Sequence, residues 1–308
     1  FKYQYSLPIK ALSTFSCGRI ISTRFRRLAL NAVIPHHCFM IRNEAGAFMA
    51  DEEALGYTKY NVDLWLTDLN DVEFGLFRHT KHRAKSRQFS KDSDVFGAVD
   101  VNAERTGVLS FRRALWKDTE GMAKRLVIKL FTQDMNWRGS LELMLARSVQ
   151  LTLGARGFPV LSFLLNLSGN NQIITIERSG HQWPFMPESY SFFITNEKDK
   201  DIRFYRLRRK IFALGTDYIV YDTSGKRIGY LNGRLIDLGG HWEVKIREDH
   251  NSVSLNNALQ LFCGMLRFRR SCLRHVKQLA RDVKQGRIKP VMDAQEADLY
   301  LNPRRQLR

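Results

Sequence analysis

The residues best placed to do chemistry are cations in an ordered row. Arg203-Phe204-Tyr205-Arg206-Leu207-Arg208-Arg209-Lys210 reads as a strand, and a period of two puts Arg206, Arg208 and Lys210 on one sheet face. Three cations projecting together suit an anion such as a lipid headgroup or a phosphate backbone. Arg234, the cation that heads a repeated segment further on, joins this candidate set. A second basic surface, Arg267, Arg270, Arg274 and Lys277, continues through Arg281 and Lys284. A third run, 74–91, has no acid and carries Arg78, Lys81, Arg83, Lys85, Arg87 and Lys91. Runs of that kind are commonly solvated loops. The formal net charge is +18 over 308 residues, so the partners to consider are polyanions: lipid surfaces and nucleic acid.

Catalytic patterns are missing from the sequence. It holds no GxSxG, no glycine-rich phosphate loop, no HExxH and no paired carboxylates at helical spacing. Binding without catalysis, and without a cofactor, is the expectation. His36-His37 beside Cys38 could form the corner of a metal site, but no further ligand stands at a suitable spacing, so no metal is expected. Cys17, Cys38, Cys263 and Cys272 form no CxxC and read as free buried thiols of a reducing compartment. No run of 18 apolar residues occurs, so no transmembrane helix is expected; Phe158–Leu167, interrupted by Pro159 and Asn166, reads as a buried strand or core segment.

A repeat supplies the elements that position the cations. The segment from Lys210 to Tyr221 recurs 24 positions later, from Arg234 to Lys245. Each copy runs cation, two large apolar residues, a spacer, Leu-Gly, two small or polar residues, an aromatic, then alternation. Gly215 and Gly239 can take the positive φ of a tight hairpin turn, and Tyr218 and Trp242 restart a strand. Asp222-Thr223-Ser224-Gly225 is a further turn. This predicts a four-strand meander near Phe204–Phe212, Asp217–Asp222, Arg227–Leu235 and Trp242–Arg247.

The same residues carry a resemblance. Arg209-Lys210-Ile211-Phe212-Ala213-Leu214-Gly215, then Asp217 to Asp222, Gly225-Lys226, and the return from Gly233 to Gly239 resemble the LURP-one-related proteins. That family stands with tubby carboxy-terminal domains and phospholipid scramblases in one superfamily. The match covers residues 192–246, and 100–185 carries no matching motif. The resemblance implies a mostly β fold of the α+β class: a closed antiparallel barrel of about twelve strands around a central apolar C-terminal helix. It also implies binding of anionic phospholipid. Scramblase activity is less supported, because no acidic calcium loop with alternating Asp spacing is present; Asp92-Ser93-Asp94 is too short.

The required helix is legible. Ser252 or Ser254 can cap it, and Leu255, Leu259, Phe262, Leu266, Leu273, Val276, Ala280 and Val283 follow three-and-four spacing. Up to Phe268 it is apolar on nearly every side, which implies burial. Beyond Phe268 it becomes amphipathic and basic, a face that lies either on an anionic membrane or in solvent at the barrel rim.

The domain reading is a basic leader or arm over 1–35, a barrel domain over 36–285 in which 100–185 either completes the barrel or forms a helical or irregular insert, and an extended basic tail over 286–308. Arg105–Trp116 and Arg125–Thr132 read as strands, and Ser140–Leu153 as either a helix or a strand pair. No acid precedes Glu44, which suits an organellar transit peptide or a basic arm. The functional expectation is a non-enzymatic barrel that binds anionic phospholipid or a membrane surface, cytoplasmic and membrane-peripheral, or mitochondrial if the leader is a transit peptide. The alternative is a basic RNA-associated protein or a scaffold subunit of a larger complex.

Overall fold

Period-two alternation of large apolar residues builds the wall. The computed structural model describes residues 56–64, 93–170, 172–180, 186–196, 201–210, 217–233 and 240–301. Its strands are β1 (Tyr57–Leu64), β2 (Ser93–Val101), β3 (Glu104–Arg112), β4 (Val127–Thr132), β5 (Trp137–Leu143), β6 (Ser162–Leu167), β7 (Ile174–Arg178), β8 (Ser189–Asn196), β9 (Asp201–Arg209), β10 (Tyr218–Tyr221), β11 (Arg227–Gly233) and β12 (His241–Arg247). Each pairs antiparallel with its neighbours in sequence, and β12 returns to β1, closing a twelve-stranded barrel. Closure runs over seven residue pairs, with Tyr60 opposite Val244 and Val62 opposite Trp242; all four are buried. No strand edge remains among these twelve, which removes the unpaired amides that an open sheet would present.

Among the described residues the α-helices are α1 (Arg113–Lys117), α2 (Leu145–Gly154), α3 (Val253–Lys284) and α4 (Ala294–Leu301). Ser252 caps α3, its hydroxyl accepting from the Leu255 amide at 3.2 Å. Every residue of α3 from Asn257 to Leu266 is buried, because that half of the helix fills the barrel. Its side chains meet opposite walls. Phe262 packs edge-on against Tyr190 of β8 at 5.1 Å and Tyr218 of β10 at 5.4 Å. Phe268 meets Phe96 of β2 and Phe111 of β3 at 5.3 and 5.0 Å. Within this buried stretch the helix carries Gly264; a Cβ there would stand 3.3 Å from the Phe96 ring.

Of the two alternatives for residues 100–185, the described residues follow the one-domain reading: β3 to β7 are staves of the barrel, and the helical additions are α1 and α2 between them. Two details differ from the sequence reading. Within that stretch the strand expected to reach Trp116 ends at Arg112, and Arg113–Lys117 turns helical. Ser140–Leu153 divides into the end of β5 and α2. The second difference is the tail, read as extended from Gly286. Ala294–Leu301 is helical, and the buried Glu296 accepts from the amides of Ala146 and Arg147 at 2.9 and 3.0 Å. A carboxylate there satisfies orphan donors at the start of α2 and complements the helix dipole. Helix α2 in turn covers the outside of β6, the Ser148 hydroxyl accepting from the Ser162 amide at 2.9 Å. Strand β6 is thus buried on both faces, which accounts for the absence of apolar–polar alternation across Phe163–Leu165.

The meander read from the repeat is present as β9 to β12, adjacent and in order. The Asp222 turn forms as expected, with the Lys226 amide donating to the Asp222 carboxylate at 2.8 Å and Gly225 at φ 78°. The two Leu-Gly pairs lie outside the described residues, as do the leader, Cys17, Cys38, the His36-His37 corner and the 78–91 cations. Cys263 and Cys272 are buried free thiols on α3.

Replacing Phe262 by Ala should destabilise the fold by about 3–5 kcal/mol, since the ring is fully buried between two walls. Val253→Ala, at a position 74% exposed on the same helix, should change stability by less than about 0.5 kcal/mol. Urea denaturation of both variants checks the contrast; equal losses would contradict a helix-filled lumen.

Candidate functional site

Strands β7 and β8 pair over two residues, Glu177 with Ser191 and Arg178 with Tyr190, whereas β8 and β9 pair over eight. At this short seam lies a cleft of about 630 Å³. Its cations are Arg178, Arg206 and Arg208, its carboxylate is Glu188, its hydroxyls include Ser189 and Ser191, and its apolar part is Phe158, Met186 and Pro187.

The alternation of β9 decides which side chains reach the cleft. Tyr205 and Leu207 are buried in the lumen, and Arg206 and Arg208 are exposed on the outer face, as the period of two predicts. Across the ladder Arg206 stands opposite Ser191 and Arg208 opposite Ser189, so each cation has a hydroxyl neighbour. Neither arginine has a carboxylate partner among the described residues. Arg206 instead lies 5.7 Å from the centre of the Phe204 ring. Lys210 is exposed but sits one residue beyond β9, its amide donating to the Asp217 carbonyl at 2.9 Å, and it does not line the cleft. Arg234 lies outside the described residues.

Behind the cleft is a buried ionic cluster that the strand pattern alone does not reveal. The Glu188 side chain is 5% exposed and pairs with Arg178, at 2.6 Å, and with Arg269 of α3. The Tyr190 and Tyr218 hydroxyls also donate to its two oxygens, at 3.0 and 3.2 Å. Arg178 donates further to the Pro159 carbonyl, and its guanidinium lies 4.6 Å from the Phe158 ring centre. Burial alone would raise the Glu188 carboxyl, but the hydrogen bond and charge of Arg269, the charge of Arg178 and the Tyr190 hydroxyl outweigh it and hold the group below its ordinary value. Both tyrosine hydroxyls are pushed up by burial and by the Glu188 charge.

The charge balance favours anions. Three guanidiniums, Arg178, Arg206 and Arg208, line the cleft with one carboxylate, and that carboxylate is already paired twice, with Arg178 and with Arg269 of α3. Helical arithmetic could have located Arg269. It falls seven residues after Phe262 and three before Cys272, on the apolar stripe of α3, and a cation on a buried face calls for a buried acid. Glu188 carries no comparable signal, because its role depends on a strand end meeting a helix 81 residues further along the chain.

The second basic surface is a separate stripe. Arg270, Arg274 and Lys277 are exposed on α3, followed by Arg281 and Lys284; Arg267 is half-buried. Opposite this stripe, Trp116 packs against Phe268 and His275, and the His275 ring is 3.0 Å from the Gly121 carbonyl. The helix therefore stays packed at the rim as it leaves the barrel. None of the stripe residues lines the cleft.

Among the described residues no helix is long and apolar enough to cross a membrane, and no three His, Cys, Asp or Glu side chains converge as metal ligands. The chain matches no protein-family model, no curated protein and no solved structure. The likeness to LURP-one-related proteins therefore rests on the sequence motif alone.

Glu188→Gln should cost about 3–5 kcal/mol at neutral pH, because it leaves two buried arginines without a counter-charge. Since the folded-state carboxyl is depressed, its contribution is present above the unfolded value of about 4.3 and fades as pH falls through the lower folded value. The stability gap between wild type and variant should narrow below about pH 4. Denaturation midpoints from pH 7 to pH 3 test this; a constant gap would contradict it.

Proposed function

We propose that the protein binds an anionic phospholipid surface, without catalysing a reaction, and that the Arg206–Arg208 cleft is the contact. The observation that carries this reading is the pair of exposed arginines on one strand face, beside serine hydroxyls, in a cleft whose carboxylate is internally neutralised. Guanidiniums match phosphate oxygens in a planar, two-pronged geometry. Each cation near an anionic membrane contributes about 1 kcal/mol. The net charge of +18 favours approach to any polyanion. The LURP-one-like motif supports the same reading by resemblance, and the exposed stripe on α3 offers further basic contacts.

RNA would exploit the same charge, but base stacking needs free aromatic faces. On the face that carries the arginines, Phe204 lies against Arg206, and the exposed Phe193 is followed on the next rung by the aliphatic Ile202, which offers no stacking face, so a run of bases finds one free ring rather than a row of them. Lipid is therefore the better fit.

Sedimentation with vesicles containing phosphatidylserine or phosphoinositide should pull down the protein, and neutral vesicles should not. The double variant Arg206→Glu, Arg208→Glu should bind anionic vesicles at least about tenfold more weakly. Preference for neutral vesicles, or displacement from anionic vesicles by stoichiometric RNA, would sink the reading. Full binding by the double variant would move the contact to Arg270, Arg274 and Lys277.

A further inference from the structure

The outer face of the β8–β9 hairpin changes character along its length. Its outward cross-strand pairs are Ser189 with Arg208, Ser191 with Arg206, Phe193 with Phe204, and Thr195 with Ile202. The first two rungs are cationic and hydroxylic. The next two carry large apolar side chains that the fold does not cover. Phe193 is 51% exposed and Ile202 63% exposed, while their inward neighbours Phe192, Ile194 and Tyr205 are buried. Met186, at the edge of the same cleft, is 56% exposed. Consecutive rungs on one face are about 7 Å apart, so the apolar pair begins within one side-chain length of the arginines.

The alternation makes this arrangement costly to explain as packing. Phe193 and Ile202 occupy outward positions, where nothing in the lumen can reach them, on a strand pair whose inward positions are already filled. An exposed apolar cluster beside a charged one marks an interaction surface. The occupant must offer phosphate oxygens to the arginines and hydrocarbon to Phe193 and Ile202 within one or two rungs. A bilayer interface presents those two chemistries side by side, and an amphipathic element lying there buries its apolar side chains about 5–10 Å into the headgroup and acyl boundary. Free phosphate or an RNA backbone satisfies only the arginines.

We infer that the β8–β9 hairpin is a membrane-seating face, with Phe193 and Ile202 entering the acyl boundary while Arg206 and Arg208 hold headgroup phosphates. This rests on the proposed lipid reading and adds a hydrophobic contact that salt does not screen.

Salt separates the two contributions, since charge attraction fades at high ionic strength and apolar insertion does not. The test uses the full chain and phosphatidylserine-containing vesicles at about 0.1 M and about 0.5 M salt. The variant Phe193→Ser, Ile202→Ser should bind within about threefold of wild type at low salt and lose about tenfold or more at high salt. Phe193→Trp should show tryptophan quenching by bromine-labelled acyl chains beyond that of wild type. Both sites are solvent-exposed, so the melting curves should stay unchanged, and a shifted curve is answered by the Phe193→Trp quenching alone.

If the serine variant matches wild type at both salts and Phe193→Trp is not quenched, the seating face is wrong. The arginine reading still stands in that case, provided the double Glu variant loses binding. If wild type fails to bind anionic vesicles at all, both are wrong. If the serine variant loses RNA binding while keeping vesicle binding, the apolar rungs are stacking platforms and the inference is overturned.

Discussion

A closed barrel of twelve strands encloses more space than its own inward side chains fill, and the interior has to be packed at close to crystal density. Here the filling is a helix, and most other features follow from that need. The first half of α3 must be apolar all round because it meets wall on every side. The wall must offer alternate large apolar residues at matched heights, which the registers of β1, β2, β3, β8 and β10 provide. Gly264 leaves room for the Phe96 ring, which a Cβ there would meet at 3.3 Å. Helix and wall therefore specify each other.

Where the helix leaves the lumen, the constraint becomes electrostatic. Arg269 lies on the apolar stripe of α3, and it reaches Glu188, the residue just before β8. Leaving either group alone would strand a charge at low exposure, so they are held together with Arg178 and two tyrosine hydroxyls. The cluster anchors the helix at the short β7–β8 seam. It also neutralises the only carboxylate that lines the cleft among the described residues, and so leaves Arg206 and Arg208 as uncompensated charge at the surface. The structural lock and the basic character of the cleft are one arrangement seen from two sides.

Much of this was legible from local pattern. Strands β9 to β12 follow from alternation and turn residues, and the burial of α3 up to Phe268 follows from its all-round apolarity. The outward placement of Arg206 and Arg208 follows from a period of two. Residues 100–185 were less legible because β6 is covered on both faces and so lacks alternation, while β3 runs straight into α1 and β5 is separated from α2 by Met144 alone. The tail was misread because a helix of eight residues is too short to hold on its own and is stabilised by what it docks against, here the amides opening α2.

Sequence by itself determined the mostly β character of 204–246, the burial of α3 up to Phe268, the basic outward face of β9 and the lack of a familiar catalytic pattern, because each depends on spacing within one segment. Tertiary structure alone decided that Glu188, Arg178 and Arg269 converge, that the cleft opens at the β7–β8 seam, and that Phe193 and Ile202 stand uncovered beside the arginines. Those depend on which strands become neighbours and on what remains exposed after packing. Both are properties of the closed barrel rather than of any one segment.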